Sequence, residues 1–320
     1  MMLIKGQQID YQWQDNWGGL NGGGGNSHNG IAIDSQGLIY ASFPTEPHLR
    51  VFNPKGEIVD SFPLSGKFMH CLFISKDSDG QWLWNVDVNN NLLTKSTLKG
   101  ELVTSIGRDA FKLNEKEKFN ITAATADPLS GNIWVTDGYG WAREGEFGGN
   151  RVFCFSPELE LLFSFDGSED KCGVFYEPHW IFADIRKGRT EIYIADRRNH
   201  RLVVYSAKGE FLRSIDEGLN MPSGFATFDD KLVVAELEGR LHILDAQDNI
   251  IETLCDGREY SQLEGWPNRK DENGQRLSPV QVLEPGKFNS PHGITADHEG
   301  NIFVHEWHLG VRITKLCRVT

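Results

Sequence analysis

The sequence predicts an all-β chain folded as one six-bladed β-propeller, and three observations carry that expectation. Glycine is abundant (34 residues), aromatics reach 11% of 320 residues, and no stretch shows helical periodicity, which is the pattern of many short strands joined by tight turns. One unit recurs along the chain: a turn, Gly-Ile-Ala-x-Asp, a glycine, an apolar strand ending in an acid, a further apolar strand and Lys-Gly-Glu. The unit aligns in six copies, each with room for four strands, the size of a propeller blade.

The first strands are expected to open near His28, His70, Asn120, His179, Ser223 and His292. Second strands follow at 38–42, 82–87, 133–137, 192–196, 232–236 and 302–306, where β-branched and aromatic residues suit a buried sheet and five of the six end in a carboxylate. Third strands such as 151–156 and 201–206 lead through turns like Lys208-Gly209-Glu210 to fourth strands such as 211–215.

The last repeat reaches Thr320 after its third strand, while Lys5-Gly6-Gln7-Gln8-Ile9-Asp10-Tyr11 matches the turn and fourth strand of the others. Residues 1–17 are therefore expected to supply the closing outer strand of blade six, and 1–320 to form a single domain. Two stretches break the period: the glycine-rich 18–26 and the long polar 256–287. Both enter a first strand, so both are expected to border the mouth of the pore as parts of a lid, with a disordered surface insertion as the alternative for the second.

A formal charge of −13 works against nucleic acid as a partner, because a phosphate-backbone binder needs a basic face. No segment approaches the roughly 20 apolar residues of a membrane span, and Met1 to Asp10 lacks a basic region followed by an apolar run. Cys71, Cys154, Cys172, Cys255 and Cys317 form an odd set without a CxxC pair, which points to reduced thiols. A cytoplasmic chain is the resulting expectation, with a mature secreted form as the alternative. Closure of a propeller leaves no obligatory interface, so a monomer or weak homo-oligomer is expected.

First strands line the channel of a propeller, and four of the six begin at a histidine. His70, His179 and His292 fall on blades two, four and six, related by a rough threefold, while His28 belongs to blade one. Taken singly, each could be a hydrogen-bonded structural residue. Their equivalence points instead to a divalent metal, zinc first with manganese or iron as alternatives, since three neutral imidazoles and an open position can activate water or polarise a substrate. The second-strand acids Asp87, Asp137, Asp196, Glu236 and Glu306 end on the same face and ordinarily accept backbone or arginine hydrogen bonds. Glu306, flanked by His305 and His308, and Asp137 are kept with His28 as substrate contacts or additional ligands. Trp180, with Trp141 and Trp307, offers an aromatic rim for a small polar substrate.

These residues carry a resemblance. The repeats look like NHL-type propellers, and Glu177-Pro178-His179 and Ser290-Pro291-His292 resemble the Pro-His zinc motifs of the peptidyl-α-hydroxyglycine α-amidating lyase domain, with His70 at the position of its remaining ligand. Thr136-Asp137-Gly138-Tyr139 resembles that family's Asp-Gly-Tyr loop, and Ala195-Asp196-Arg197 the loop that supplies an active-site arginine. The resemblance implies zinc held by His70, His179 and His292, Tyr139 as catalytic base and Arg197 acting on the substrate as a C–N bond breaks. It also implies a structural calcium, although Gly293 stands where that family has an acid that helps to bind it, and Cys71-Leu72 follow His70 where a Pro-His-Gly pattern is expected.

The function expected on these grounds is a metal-dependent lyase or hydrolase acting on a small polar molecule in the pore. A non-enzymatic propeller that binds a protein or glycan on its top face is the second expectation. A calcium-dependent, gluconolactonase-like lactonase with Glu236, Glu306 and Asn120 as ligands is the third.

Overall fold

Strands that are apolar on both faces are stable only where both faces are covered, and the second strands are of this kind. Ile39–Ser42, Ile133–Asp137, Glu191–Asp196 and Ile302–Glu306 are buried at every residue. Fourth strands such as Leu102–Ile106 and Leu161–Phe165 alternate toward solvent instead, as an outer edge must. The computed structural model describes every residue except 21–24, 65–68, 139, 141–147 and 320.

The chain is an all-β six-bladed propeller, each blade an antiparallel sheet whose strands run in sequence order in blades one to five, while the N-terminal strands form the outer edge of blade six. Contacts divide it into two compact units, Met1–Leu64 with Ser223–Thr320, and Ser65–Pro222. The second unit holds blades two (Met69–Asp77, Gly80–Asp87, Leu92–Thr97, Leu102–Ile106), three (Ile121–Ala126, Ile133–Asp137, Arg151–Phe155, Leu161–Phe165) and four (Pro178–Asp184, Glu191–Asp196, Arg201–Ser206, Phe211–Ile215). Its blades pack through aromatic clusters such as Phe111 against Phe119, Phe153 and Phe155, with centroids 4.6 to 4.9 Å apart.

The first unit holds blade five (Pro222–Phe228, Lys231–Glu236, Arg240–Leu244, Ile250–Leu254), blade six (Pro291–Ala296, Ile302–Glu306, Ile313–Arg318) and blade one (Ile31–Ile33, Ile39–Ser42, Leu49–Phe52, Ile58–Phe62). Tyr11–Gln14 pairs antiparallel with Ile313–Arg318 as the fourth strand of blade six, Trp13 opposite Leu316. A further strand, Met2–Ile4, continues that sheet outward. Between them the chain is pinned by Glu252 of blade five, whose carboxylate accepts the backbone N–H groups of Gln7, Gln8 and Ile9.

Neighbouring first strands approach too closely for a side chain. A Cβ on Gly224 would lie 2.5 Å from the carbonyl oxygen of His292, and one on Gly293 would lie 2.5 Å from that of Asn29. Gly293 therefore stands beside His292 for reasons of backbone packing. The 256–287 segment carries structure of its own, a turn of 3₁₀ helix at Arg258–Gln262 and a hairpin of Asn268–Lys270 with Arg276–Pro279. No helix among the described residues is long and apolar enough to cross a membrane.

Candidate metal centre

The histidines of blades two, four and six share a local geometry that explains their position. In blade two, Met69 pairs with Asp87 and Cys71 with Val86, leaving His70 as the extra residue of a β-bulge. Blade four repeats this, with Pro178 opposite Asp196, Trp180 opposite Ala195, and His179 between. In blade six Pro291 faces Glu306 and Gly293 faces His305, so His292 is again the bulged residue. A bulge bends the strand and re-aims one side chain out of the pleat, which lets an imidazole leave the blade face.

In the unit of blades two to four, His70 and His179 meet edge to face with ring centroids 4.9 Å apart, and their ligand nitrogens lie within 4.8 Å of one another. Both rings are fully buried. The Nδ1–H of His70 donates to the carbonyl oxygen of Thr122 at 2.7 Å, which places the lone pair on Nε2. Burial pushes the His70 imidazole down to about 3; the Thr122 hydrogen bond opposes this and the Arg197 charge adds to it. Trp180 is buried beside the pair, 5.9 Å from His70 and 6.0 Å from His179.

Arg197 opens a short 3₁₀ turn, Arg197–Asn199, after the second strand of blade four. Its side chain is 8% exposed, and Nη2 donates to Glu177 Oε1, while Arg198 Nε reaches the other oxygen at 2.7 Å. Arg197 Nε and Nη1 are buried without a hydrogen-bond partner among the described residues. Tyr139 and Trp141 lie outside the described residues.

In the other unit, His28 meets the edge of His292 at 4.2 Å, and Trp307 stacks on His28 at 4.9 Å with an interplanar angle of 29°. The ligand nitrogens of His28 and His292 also lie within 4.8 Å of one another, and both residues are buried. Nearby, Ser27 Oγ and His305 Nε2 are 2.6 Å apart in a fully buried contact. Four buried imidazoles, one of them His70 with Nδ1 tied to a carbonyl and Nε2 left as the donor atom, form a set that fits zinc, manganese or iron.

The second-strand acids have structural partners. Asp137 accepts from Asn120 N at 2.6 Å and from Arg151, and Asp196 accepts from Tyr176 N at 2.7 Å and from Arg201. Glu306 accepts from Asn289 N at 2.6 Å and Ser290 N at 3.2 Å and faces Arg312, while Glu236 pairs with Arg240. Asp137, Asp196 and Glu306 thus tie the entry of the first strand to an arginine near the start of the third, whereas Asp87 accepts from Asn89 and Asn90 of its own turn. This arrangement gives Glu236 and Glu306 compensating positive charge that a calcium ligand would have to give up.

The register also adds residues that sequence reasoning missed. Asn29, Thr122, His179 and His292 each stand five positions before the turn acids Asp34, Asp127, Asp184 and Asp297. The equivalent positions of blades one, three and four are therefore Asn29, Thr122 and His179, so Thr122 rather than Asn120 faces His70. His28 sits one residue upstream of its blade's equivalent position. The spacing to the turn acid is the signal that could have found both.

No family profile matches the chain, and neither does any curated protein. Among solved structures the chain is similar to a streptogramin B lyase at 17% identity and a TM-score of 0.60, covering 97% of this chain and 98% of that one. It is also similar to a catalytically inactive virginiamycin B lyase from Staphylococcus aureus with quinupristin, at 17% identity and 0.60 over 97% and 100% of the two chains. A third, a structural genomics protein of unknown function from Bacteroides thetaiotaomicron, is 14% identical with a TM-score of 0.60, over 98% of this chain and 77% of that one. These likenesses show the six-bladed propeller. The NHL and amidating-lyase resemblances rest on the motifs quoted above.

Proposed function

We propose that the chain is a metal-dependent lyase or hydrolase for a small polar substrate, with one divalent ion, zinc first, held by His70, His179 and His292. The observation that carries this reading is that a bulge at the start of the first strand, which recurs in blade three without a histidine, carries a buried histidine in blades two, four and six. The bulge belongs to the repeat, so it is the choice of histidine at that position in three blades that speaks for a shared ligand. Two solved neighbours are lyases by name, which agrees with the class at the level of fold.

A bound divalent ion would supply Lewis-acid polarisation of a substrate oxygen. Arg197 brings a guanidinium that Glu177 holds through Nη2 and whose Nε–H and Nη1–H have no hydrogen-bond partner among the described residues, suited to negative charge that develops on the substrate. Tyr139 is assigned the proton transfer on the strength of the Asp-Gly-Tyr resemblance. Cleavage of a C–N or C–O bond follows from this set of roles.

Elemental analysis of protein purified without chelator tests the reading. One equivalent of zinc, manganese or iron, lost in His179→Ala with the fold retained by circular dichroism, is expected. Metal-free protein that takes up none of the three on titration overturns it.

A further inference from the structure

We infer that His28 is a fourth ligand to the ion that His292 would hold, and that Trp307 with Trp266 of the 256–287 segment positions its ring. The inference rests on the metal reading above and goes beyond its three-histidine set. His28 is only 6% exposed, with Trp307 stacked on it and the edge of His292 at 4.2 Å. The ring is thus held between two aromatic neighbours. Its ligand nitrogen lies within 4.8 Å of that of His292. Two donors on one tetrahedral zinc stand roughly 3.4 Å apart, so a modest ring rotation brings both onto one ion.

His28 reaches this place by a route that the other histidines do not use. Asn29 occupies the equivalent position of blade one, and its Oδ1 turns back to accept the backbone N–H of His28 at 2.7 Å. The ring therefore arrives from one residue upstream, and something outside the blade must hold it. Trp307 does so from the loop after the second strand of blade six, with its N–H donating to the Ser290 carbonyl at 2.8 Å. Trp266 stands edge-on to Trp307 at 5.8 Å and 84°, anchored through Nε1 to the carbonyl of Asn289 at 3.0 Å.

Asn268, 1% exposed, links the two segments directly. Its Nδ2 donates to Asn26 Oδ1 at 3.3 Å, two residues before His28, and its Oδ1 accepts from Leu309 N at 2.6 Å, two residues after Trp307. The 256–287 segment is thus a bracket that grips both the strand-entry loop carrying His28 and the loop carrying its stacking partner. Groups that orient a ligand imidazole act on metal affinity nearly as strongly as some ligands do.

Cobalt(II) titration of the full chain, followed by visible absorption, tests this with thermal midpoints as the control for folding. His28→Ala is expected to change the d–d spectrum and weaken cobalt binding at least about 10-fold, with Trp307→Ala and Trp266→Ala weakening it about 10-fold and Trp307→Phe restoring most of it. A wild-type spectrum and affinity in His28→Ala overturns the fourth-ligand assignment. The same result in both tryptophan-to-alanine variants overturns the positioning role. Wild-type protein that takes up no cobalt, zinc, manganese or iron overturns the metal reading itself, and this inference with it.

Discussion

His70 of blade two donates through Nδ1 to the carbonyl oxygen of Thr122 on blade three, at 2.7 Å. The acceptor is backbone, so the tautomer of His70 is set by the position of the neighbouring strand and not by any side chain that evolution could exchange. The Thr122 side chain has a separate task, accepting the buried N–H of Gly138 through Oγ1 at 3.1 Å. Thr122→Val is therefore expected to leave metal content unchanged while lowering unfolding free energy by about 1–3 kcal/mol, the usual consequence of an orphaned buried N–H. Denaturant titration alongside elemental analysis separates the two effects; loss of metal in this variant would contradict the division of labour.

Glu177, 1% exposed, holds the guanidinium groups of both Arg197 and Arg198. Glu177→Gln leaves the Arg197 charge buried and uncompensated, and the expected loss is about 3–5 kcal/mol of stability, read from denaturation midpoints. Pairing it with Arg197→Met should recover much of that loss, because the buried charge is then absent. A double variant as unstable as the single one would show that Glu177 acts through something other than Arg197.

His305 is fully buried, and desolvation, with the neighbouring His308 adding to it, pushes its imidazole down to about 3. An unfolded chain takes up that proton near pH 6.5, well before the folded protein does. Stability is thus complete above about pH 6.5 and falls as pH drops toward 3, by about 2 kcal/mol at pH 5 for this one group. Thermal midpoints measured between pH 7 and pH 5 should decline, and His305→Gln should flatten the decline. An unchanged slope in that variant would assign the acid sensitivity to other groups.

The periodic features were the legible ones. Second strands announced themselves through runs such as Ile133-Trp134-Val135-Thr136-Asp137, because a strand buried on both faces needs apolar residues at every position and cannot hide them in an alternating pattern. The turn acids were equally visible, since Asp34, Asp127, Asp184 and Asp297 each accept backbone N–H groups of their own turns, a local interaction that local sequence encodes. His28 was harder. It looked like a fourth member of an equivalent set, yet a one-residue offset puts Asn29 in that position, and the His28 ring stacks on Trp307 beside His292. The outermost strand Met2–Ile4 left no signal either, as three exposed or half-buried residues carry no pattern.

By itself the sequence determined the blade count, the closing match of its N-terminal segment to a fourth strand, and the choice of histidine on alternate blades, all of them consequences of repetition. The tertiary structure decided where those histidines point. A β-bulge depends on the pairing of two strands, and the tautomer of His70 depends on a carbonyl 52 residues away in sequence. The wedge around His28 likewise joins loops separated by more than 200 residues. Such features arise from packing between strands, which no local pattern in the chain records.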